Sequence, residues 1–502
     1  MSSEPQHDNE KNMFLEMDLE YLLSLEEEML SLSEAEMTEE EKTNIYDLKQ
    51  LLESNLTQSQ LTSLIKDKLK ESGAHPNVRA LWDEIISGID GKNVGIPIGD
   101  DQLDKNIQIR KNMLICIGGL TGSAKSALLD DIFVLKLFKS WLSNEHDDLF
   151  PNIEWTYFSM ERSPLHKRAK WLCWLLYNDY GVPVSIGDLL SWQRGQPIKP
   201  GLLPYIPRLL EYLDLLEDKI DLIGGEKYAN EIYDIICSKM NRIGYHIHCN
   251  TNFDKYTGEI SGQVLVNGEA VGKFDNEVYE ENRIGTKKYY VDILIPQSDG
   301  INLQVRVFEN DKKYVPFDSK KVNVIVVDHI SKVRLAQGQN RKEANDQTAD
   351  MLAELRDYYG ITVIIVNQFN RSIYSEDPTR LPEGLVPMES HFADSSSILR
   401  NADLVLGILD PIRLSDYSQA GYDVAGCISR DGYCTLRTVH IVKSTFGGSG
   451  AKLGFSFIGE SGYFRTLPPA NYMTDNLYYL TVNSLSEVGG KTFEELVAAV
   501  AA

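Results

Sequence analysis

Residues 113–129 read Met-Leu-Ile-Cys-Ile-Gly-Gly-Leu-Thr-Gly-Ser-Ala-Lys-Ser-Ala-Leu-Leu, and this stretch restricts the fold more than any other in the chain. Met113–Ile117 has the pattern of a short buried strand. Gly118, Gly119 and Gly122 mark a loop, and Ala127–Val134 carries a helical pattern. From Gly119 to Lys125-Ser126 the spacing is that of a phosphate-binding loop, G-x-x-x-x-G-K-[ST]. In such a loop the backbone N–H groups of Thr121, Gly122, Ser123 and Ala124 wrap phosphates, Lys125 reaches the outer ones, and the Ser126 hydroxyl holds Mg²⁺. One letter departs: Ala124 stands where the pattern has glycine. The methyl narrows the backbone angles available but removes no donor.

Size and charge bound the rest. With 502 residues the chain has room for two to four domains. Its net charge of −24 is uneven, because residues 1–50 hold fifteen Asp/Glu against three Lys/Arg. That argues against a broad basic surface while leaving room for a local basic channel. The six cysteines are scattered without C-x-x-C spacing, the usage of a reduced, intracellular protein. His246, His248 and Cys249 form the one metal-like cluster, better read as chance residues on a strand face. No apolar run is long enough to span a bilayer, and the acidic N-terminus lacks a signal peptide's basic start. The expectation is a cytoplasmic protein without a membrane partner, in the host cytoplasm if the chain is viral.

Along the chain, residues 1–70 alternate apolar and acidic letters at helical spacing, predicting an N-terminal helical arm that either packs on the body or docks a partner. A turn-rich linker, Gly91–Gly99, leads into the P-loop region, so 1–93 forms one segment and 94–243 the first part of an α/β core. Glu154–Met160 predicts a second buried strand ending beside Glu161, with a helix from Leu165 to Tyr177. Between 244 and 318 the pattern changes to short β runs. Asn267-Gly268 between alternating apolar letters predicts a hairpin, and Tyr289–Ile295 with Leu303–Phe308 predicts another. This is an inserted β-rich module. The core resumes over 319–465: Val322–Asp328 is a β-branched run ending in a carboxylate, suited to holding Mg²⁺ through water. A helix at Ala344–Tyr359 and a strand from Ile361 into Asn367-Gln368 follow, and 466–502 is left as a C-terminal tail.

The order of these pieces resembles the RecA-like motor domain of DnaB-type replicative helicases from about Val94 to Phe464, with 244–318 outside the resemblance. Tyr157-Phe-Ser-Met-Glu161 is similar to the family's F-S-L-E, Asn367-Gln-Phe-Asn-Arg371 to its S-Q-L-N-R, Ser397–Val405 to its S-I-E-Q-D-A-D-L, and His440–Gly448 to its K-x-R-x-G hairpin. The resemblance implies an α/β, RecA-like P-loop NTPase with a parallel sheet, working as a hexameric ATP-dependent helicase on single-stranded DNA, with a primase or other replication protein as partner. It gives Glu161 the role of catalytic base, Gln368 that of γ-phosphate sensor, and Ser126 and Asp328 the Mg²⁺; Lys443 would meet nucleotide from the hairpin.

Two further departures accompany Ala124. Thr445 stands where the family's hairpin carries an arginine finger, with Arg413, Arg430 and Arg437 nearby, and Ala393-Asp-Ser-Ser396 replaces R-E-S-G in the central DNA loop. Lys332, Arg334, Arg341 and Lys342 offer other positive charge, either lining a channel or solvated. Two rival readings follow: a nucleotide-binding scaffold with weak or no hydrolysis, and a recombinase- or packaging-type motor on the same fold.

Overall fold

The computed structural model describes residues 95–483, apart from 145–149, 193–196, 282–286, 376–383, 393–395 and 430–431, together with Ser63 and Ile85. The chain falls into two units, Met1–Asn93 and Val94–Ala502. The expected helical arm and residues 484–502 lie outside the described residues; everything below belongs to the second unit.

The strands in chain order are β1 (Leu114–Gly119), β2 (Ile153–Ser159), β3 (Ile220–Gly224), β4 (Gly244–Phe253), β5 (Ile260–Val266), β6 (Glu269–Lys273), β7 (Tyr279–Glu281), β8 (Lys287–Pro296), β9 (Asn302–Phe308), β10 (Lys312–Pro316), β11 (Val322–Asp328), β12 (Thr362–Gln368), β13 (Leu404–Leu409), β14 (Leu436–Ser444), β15 (Lys452–Ile458) and β16 (Tyr463–Thr466). Nine of them form one sheet, ordered β16-β15-β14-β13-β1-β12-β11-β2-β3. The six from β13 to β3 run parallel, and β14, β15 and β16 extend the sheet antiparallel. β1, β11 and β13 are buried at every position, which explains why they read as continuous apolar runs rather than alternating ones. Because β1 lies between β12 and β13, the carboxyl ends of β1, β11 and β12 open side by side, where ligands collect in such sheets.

Helices cover both faces. The segment after the P-loop is helical from Lys125 to Leu129, π-helical over Asp130–Lys136, and helical again over Leu137–Ser143. Its Phe133 and Phe138 pack in one core with Trp155, Trp171 and Trp174. Truncating a fully buried aromatic such as Phe133 to alanine costs about 3–5 kcal/mol. The helix Pro164–Tyr180 starts on a Ser163 cap with proline in its first turn and stops at Gly181, which adopts a left-handed conformation. Arg341–Tyr359 opens with a capping box from Asn340 and Glu343. Helices Ile206–Glu217 and Ala229–Asn241 and strand β3 had no counterpart in the sequence reading.

The insertion is a separate β structure: a four-stranded sheet β10-β4-β5-β6 and a three-stranded sheet β7-β8-β9, closing on Ile247, Val264, Ile293 and Val307. Both predicted hairpins are present. Asn267 and Gly268 take positive φ (50° and 89°) between β5 and β6, as a two-residue hairpin turn requires. β4 and β10 form the stem, pairing Gly244 with Pro316. Beyond β16, helix Asp475–Asn483 packs back onto the body, Ser456 Oγ donating to the Thr481 carbonyl, so this part of the expected tail is integrated structure.

Candidate nucleotide site

β1 delivers the chain into the P-loop at Gly119, where a side chain would strike Ser123 Oγ at 2.6 Å and Ile408 at 2.7 Å, so only glycine fits. Ser123 turns its hydroxyl onto the Leu120 carbonyl (2.9 Å). Lys125 Nζ donates to the same carbonyl at 2.8 Å. Gly122 and Ala124 both take positive φ, 78° and 73°. Ala124 therefore holds the left-handed conformation that a glycine would accept freely, at a cost of about 1–2 kcal/mol. The loop keeps its shape despite the methyl.

β11 ends in Asp328, and its carboxylate splits its two oxygens between different partners. Oδ1 accepts from Ser126 Oγ at 2.7 Å. Oδ2 accepts from Tyr157 OH at 3.0 Å and pairs with Lys167 Nζ at 2.8 Å. Lys167 also donates to Asp130 (2.9 Å) and to Tyr157 OH (2.6 Å), and all four groups are buried. Burial alone would raise the Asp328 carboxyl, but the Lys167 ammonium and the hydrogen bonds from Lys167, Ser126 and Tyr157 outweigh it and hold the group below the usual range. Asp130 goes the other way: desolvation dominates, and Asp328 reinforces it against Lys167. The Lys125 amine is pushed down to about 8 by burial, partly offset by Asp328 and Glu161. The cluster Asp130–Tyr157–Lys167 was missed from the sequence. Its one signal was a pair of acids, Asp130-Asp131, set inside an otherwise apolar helical run.

β2 ends one residue before Met160, whose N–H donates to the Asp328 carbonyl at 2.9 Å and so registers the two strand ends. Glu161 follows, exposed, its carboxylate 3.5 Å from His329 Nε2. From β12, Gln368 Nε2 donates to Thr121 Oγ1 at 2.7 Å, tying the proposed sensor directly to the P-loop. These residues share a cavity of about 680 Å³ lined by Thr121, Gly122, Ala124, Lys125, Ser126, Glu161 and Gln368, with Arg162, Lys167 and Lys332 adding positive charge. The Ser126 hydroxyl and Asp328 carboxylate, meeting at 2.7 Å, are hard oxygen donors of the kind Mg²⁺ takes. They fit the cation that the motif implies.

Other predicted residues are placed elsewhere. Lys443 donates to the Leu399 carbonyl at 2.8 Å and does not line this cavity. Arg437 is buried and spent on the Cys434 and Leu436 carbonyls and Asp410. Arg413 lies against its own P-loop, NH1 donating to the Thr121 carbonyl at 3.0 Å. Thr445 donates its N–H to the Asp403 carbonyl at 2.9 Å. Ala393 and Arg430 lie outside the described residues. Of the basic loop, Lys332 faces the cavity, Arg334 lies over the Tyr228 ring at 5.7 Å, and Arg341 donates to the Val333 carbonyl. His246 is held by Tyr358 and Asn241, and no group of metal ligands of the His/Cys/Asp/Glu kind occurs among the described residues.

The parallel sheet, the P-loop at its centre and the Ser126–Asp328 pair give the chain a RecA-like P-loop fold. Residues 258–446 match the family model of the DnaB-like helicase C terminal domain. The match takes in Asp328, Gln368 and most of the β insertion, and leaves out the P-loop and Glu161. Over these residues the chain is similar to that domain. Among solved structures it is similar to one described as an ATPase domain, at 14% identity over 79% of this chain and 99% of that one, with a TM-score of 0.48. It is also similar to a DnaB-like replicative helicase described with its interactions with primase, at 12% identity over 86% of this chain and 80% of that one, TM-score 0.45. No curated protein matches the sequence. Among the described residues no helix is long and apolar enough to cross a membrane.

Proposed function

We propose that this protein is an ATP-driven, ring-forming DNA translocase that unwinds duplex DNA in replication, a helicase of the DnaB type. The observation that carries the reading is the convergence of Lys125, Ser126, Glu161 and Gln368 on one cavity, with the buried Asp328 bonded to Ser126 at 2.7 Å. The P-loop N–H groups and Lys125 hold the triphosphate. Ser126 and, through water, Asp328 would hold Mg²⁺, which neutralises charge developing on the phosphates. Glu161 orients the attacking water and takes its proton. Gln368 carries the state of the γ-phosphate to β12, because one amide touches Thr121 while its strand continues into Phe369, whose N–H donates to the Gly119 carbonyl at 3.0 Å. A hexameric homo-oligomer around single-stranded DNA, with a primase or other replication protein as partner, completes the reading, in the cytoplasm of the cell or of a viral host.

The test is strand displacement on a forked duplex. Wild type unwinds it with ATP, and Lys125→Ala abolishes hydrolysis because the charge on the phosphates has no substitute. A chain that binds ATP and unwinds nothing overturns the reading. The strained Ala124 favours one alternative, a nucleotide-binding scaffold that hydrolyses weakly; strong stimulation of ATPase by single-stranded DNA eliminates it.

A further inference from the structure

Arg162 follows Glu161 directly and lines the same cavity as Lys125, Glu161 and Gln368. Its side chain is exposed, and among the described residues no carboxylate or carbonyl holds its guanidinium. Only its backbone is tied down: the Arg162 carbonyl accepts from Ser159 Oγ at 2.7 Å, fixing the turn that follows β2. Apart from Lys332, the other lysines and arginines around the site are committed. Lys125 is on the Leu120 carbonyl, Lys167 between Asp130 and Asp328, Lys170 on the carbonyls of Gly459 and Glu460, and Arg413 on the Thr121 carbonyl with Asp410. On the sheet's far strands, Arg437 and Lys443 are spent on backbone carbonyls and Asp410. A free guanidinium set in the nucleotide cavity, one residue from the base, is the arrangement that transition-state charge calls for.

Building on the proposed ATP hydrolysis, we propose that Arg162 is a catalytic arginine supplied in cis, contacting the transferring phosphoryl group from within its own subunit. As the water oxygen bonds to the γ-phosphorus, the bond from that phosphorus to the β–γ bridging oxygen breaks. The electron pair leaves with ADP, and the water's proton passes to Glu161. Negative charge spreads over the equatorial and bridging oxygens, and the planar fork of Arg162 donates to both, which the point charge of an ammonium does less well. Lys332, half-buried in the same cavity, is the comparison residue.

The experiment uses the full chain. Arg162→Ala, Arg162→Lys and Lys332→Ala are compared with wild type for kcat, for affinity toward a fluorescent ATP analogue, and for affinity toward ADP with aluminium fluoride, a mimic of the transferring group. For Arg162→Ala, kcat falls by ~10³-fold or more, ATP-analogue affinity stays within about threefold, and the aluminium fluoride complex is lost. Arg162→Lys falls between the two, and Lys332→Ala retains the complex. Hydrolysis by Arg162→Ala within tenfold of wild type overturns the inference, as does a loss of the complex in Lys332→Ala instead. A wild-type chain that binds ATP and hydrolyses none fails in a different place: it overturns the proposed function itself.

Discussion

Replacing Lys167 with methionine keeps the length of the side chain and removes the ammonium that separates Asp130 from Asp328. In the native protein this group sits 2.9 Å from one carboxylate and 2.8 Å from the other, with Tyr157 OH at 2.6 Å, and only 4% of it is exposed. Two buried carboxylates then face each other without a cation, and breaking a buried ion pair in this way costs about 3–5 kcal/mol. Adding Asp130→Asn removes the second charge while keeping Asp328, so the double variant recovers most of that loss. The difference between the single and double variants measures the coupling. Chemical unfolding without nucleotide, followed by tryptophan fluorescence, reports on this core because Trp155, Trp171 and Trp174 are all buried in it. A Lys167→Met protein within about 1 kcal/mol of wild type, well short of the cost of a broken buried pair, refutes the reasoning. So does a double variant no more stable than the single one.

Ala124→Gly relieves a left-handed backbone at φ 73°; set against the extra freedom glycine gives the unfolded chain, the net gain is about 0.5–1 kcal/mol, and destabilisation in the same unfolding assay contradicts it. His440 is buried with its imidazole pushed down to about 3, by desolvation first and by Lys452 second. The unfolded chain therefore takes up a proton that the folded one refuses as pH falls from about 6.5 toward 3, and this site alone removes up to about 1.4 kcal/mol of stability per pH unit across that window. His440→Asn flattens that part of the pH–stability profile; an unchanged slope speaks against the burial argument. Ser126→Ala leaves Asp328 without its Oδ1 partner and weakens Mg²⁺-dependent nucleotide binding, read as a rise in the Mg²⁺ concentration needed for half-maximal binding of a fluorescent ATP analogue; no change in that concentration removes Ser126 from the metal site.

The elements whose chemistry is local were legible in the sequence. The P-loop spacing, the β-branched run into Asp328 and the Asn267-Gly268 hairpin each carry their own geometric requirement within a few residues, and each took its predicted form. β3 was not read because Ile220–Gly224 is short and half-exposed at the sheet's edge, where neither alternation nor a long apolar run marks it. Lys167 was invisible for a different reason. It lies 37 residues from Asp130 and far from Asp328 in the chain, and only the packing of helix Pro164–Tyr180 on β2 and the P-loop helix turns it inward. The same distance problem applies to the arginines: Arg413, Arg430 and Arg437 stood near the finger position in the sequence, whereas folding buries Arg437 and lays Arg413 on its own P-loop, and Arg430 lies outside the described residues.

The most direct measurement of the central claim is steady-state ATP hydrolysis by the full chain with and without single-stranded DNA, run beside unwinding of a forked duplex. The account predicts hydrolysis that rises on adding single-stranded DNA, accompanied by strand separation, with both lost in Lys125→Ala. Hydrolysis indifferent to DNA, or nucleotide binding with neither turnover nor unwinding, contradicts it.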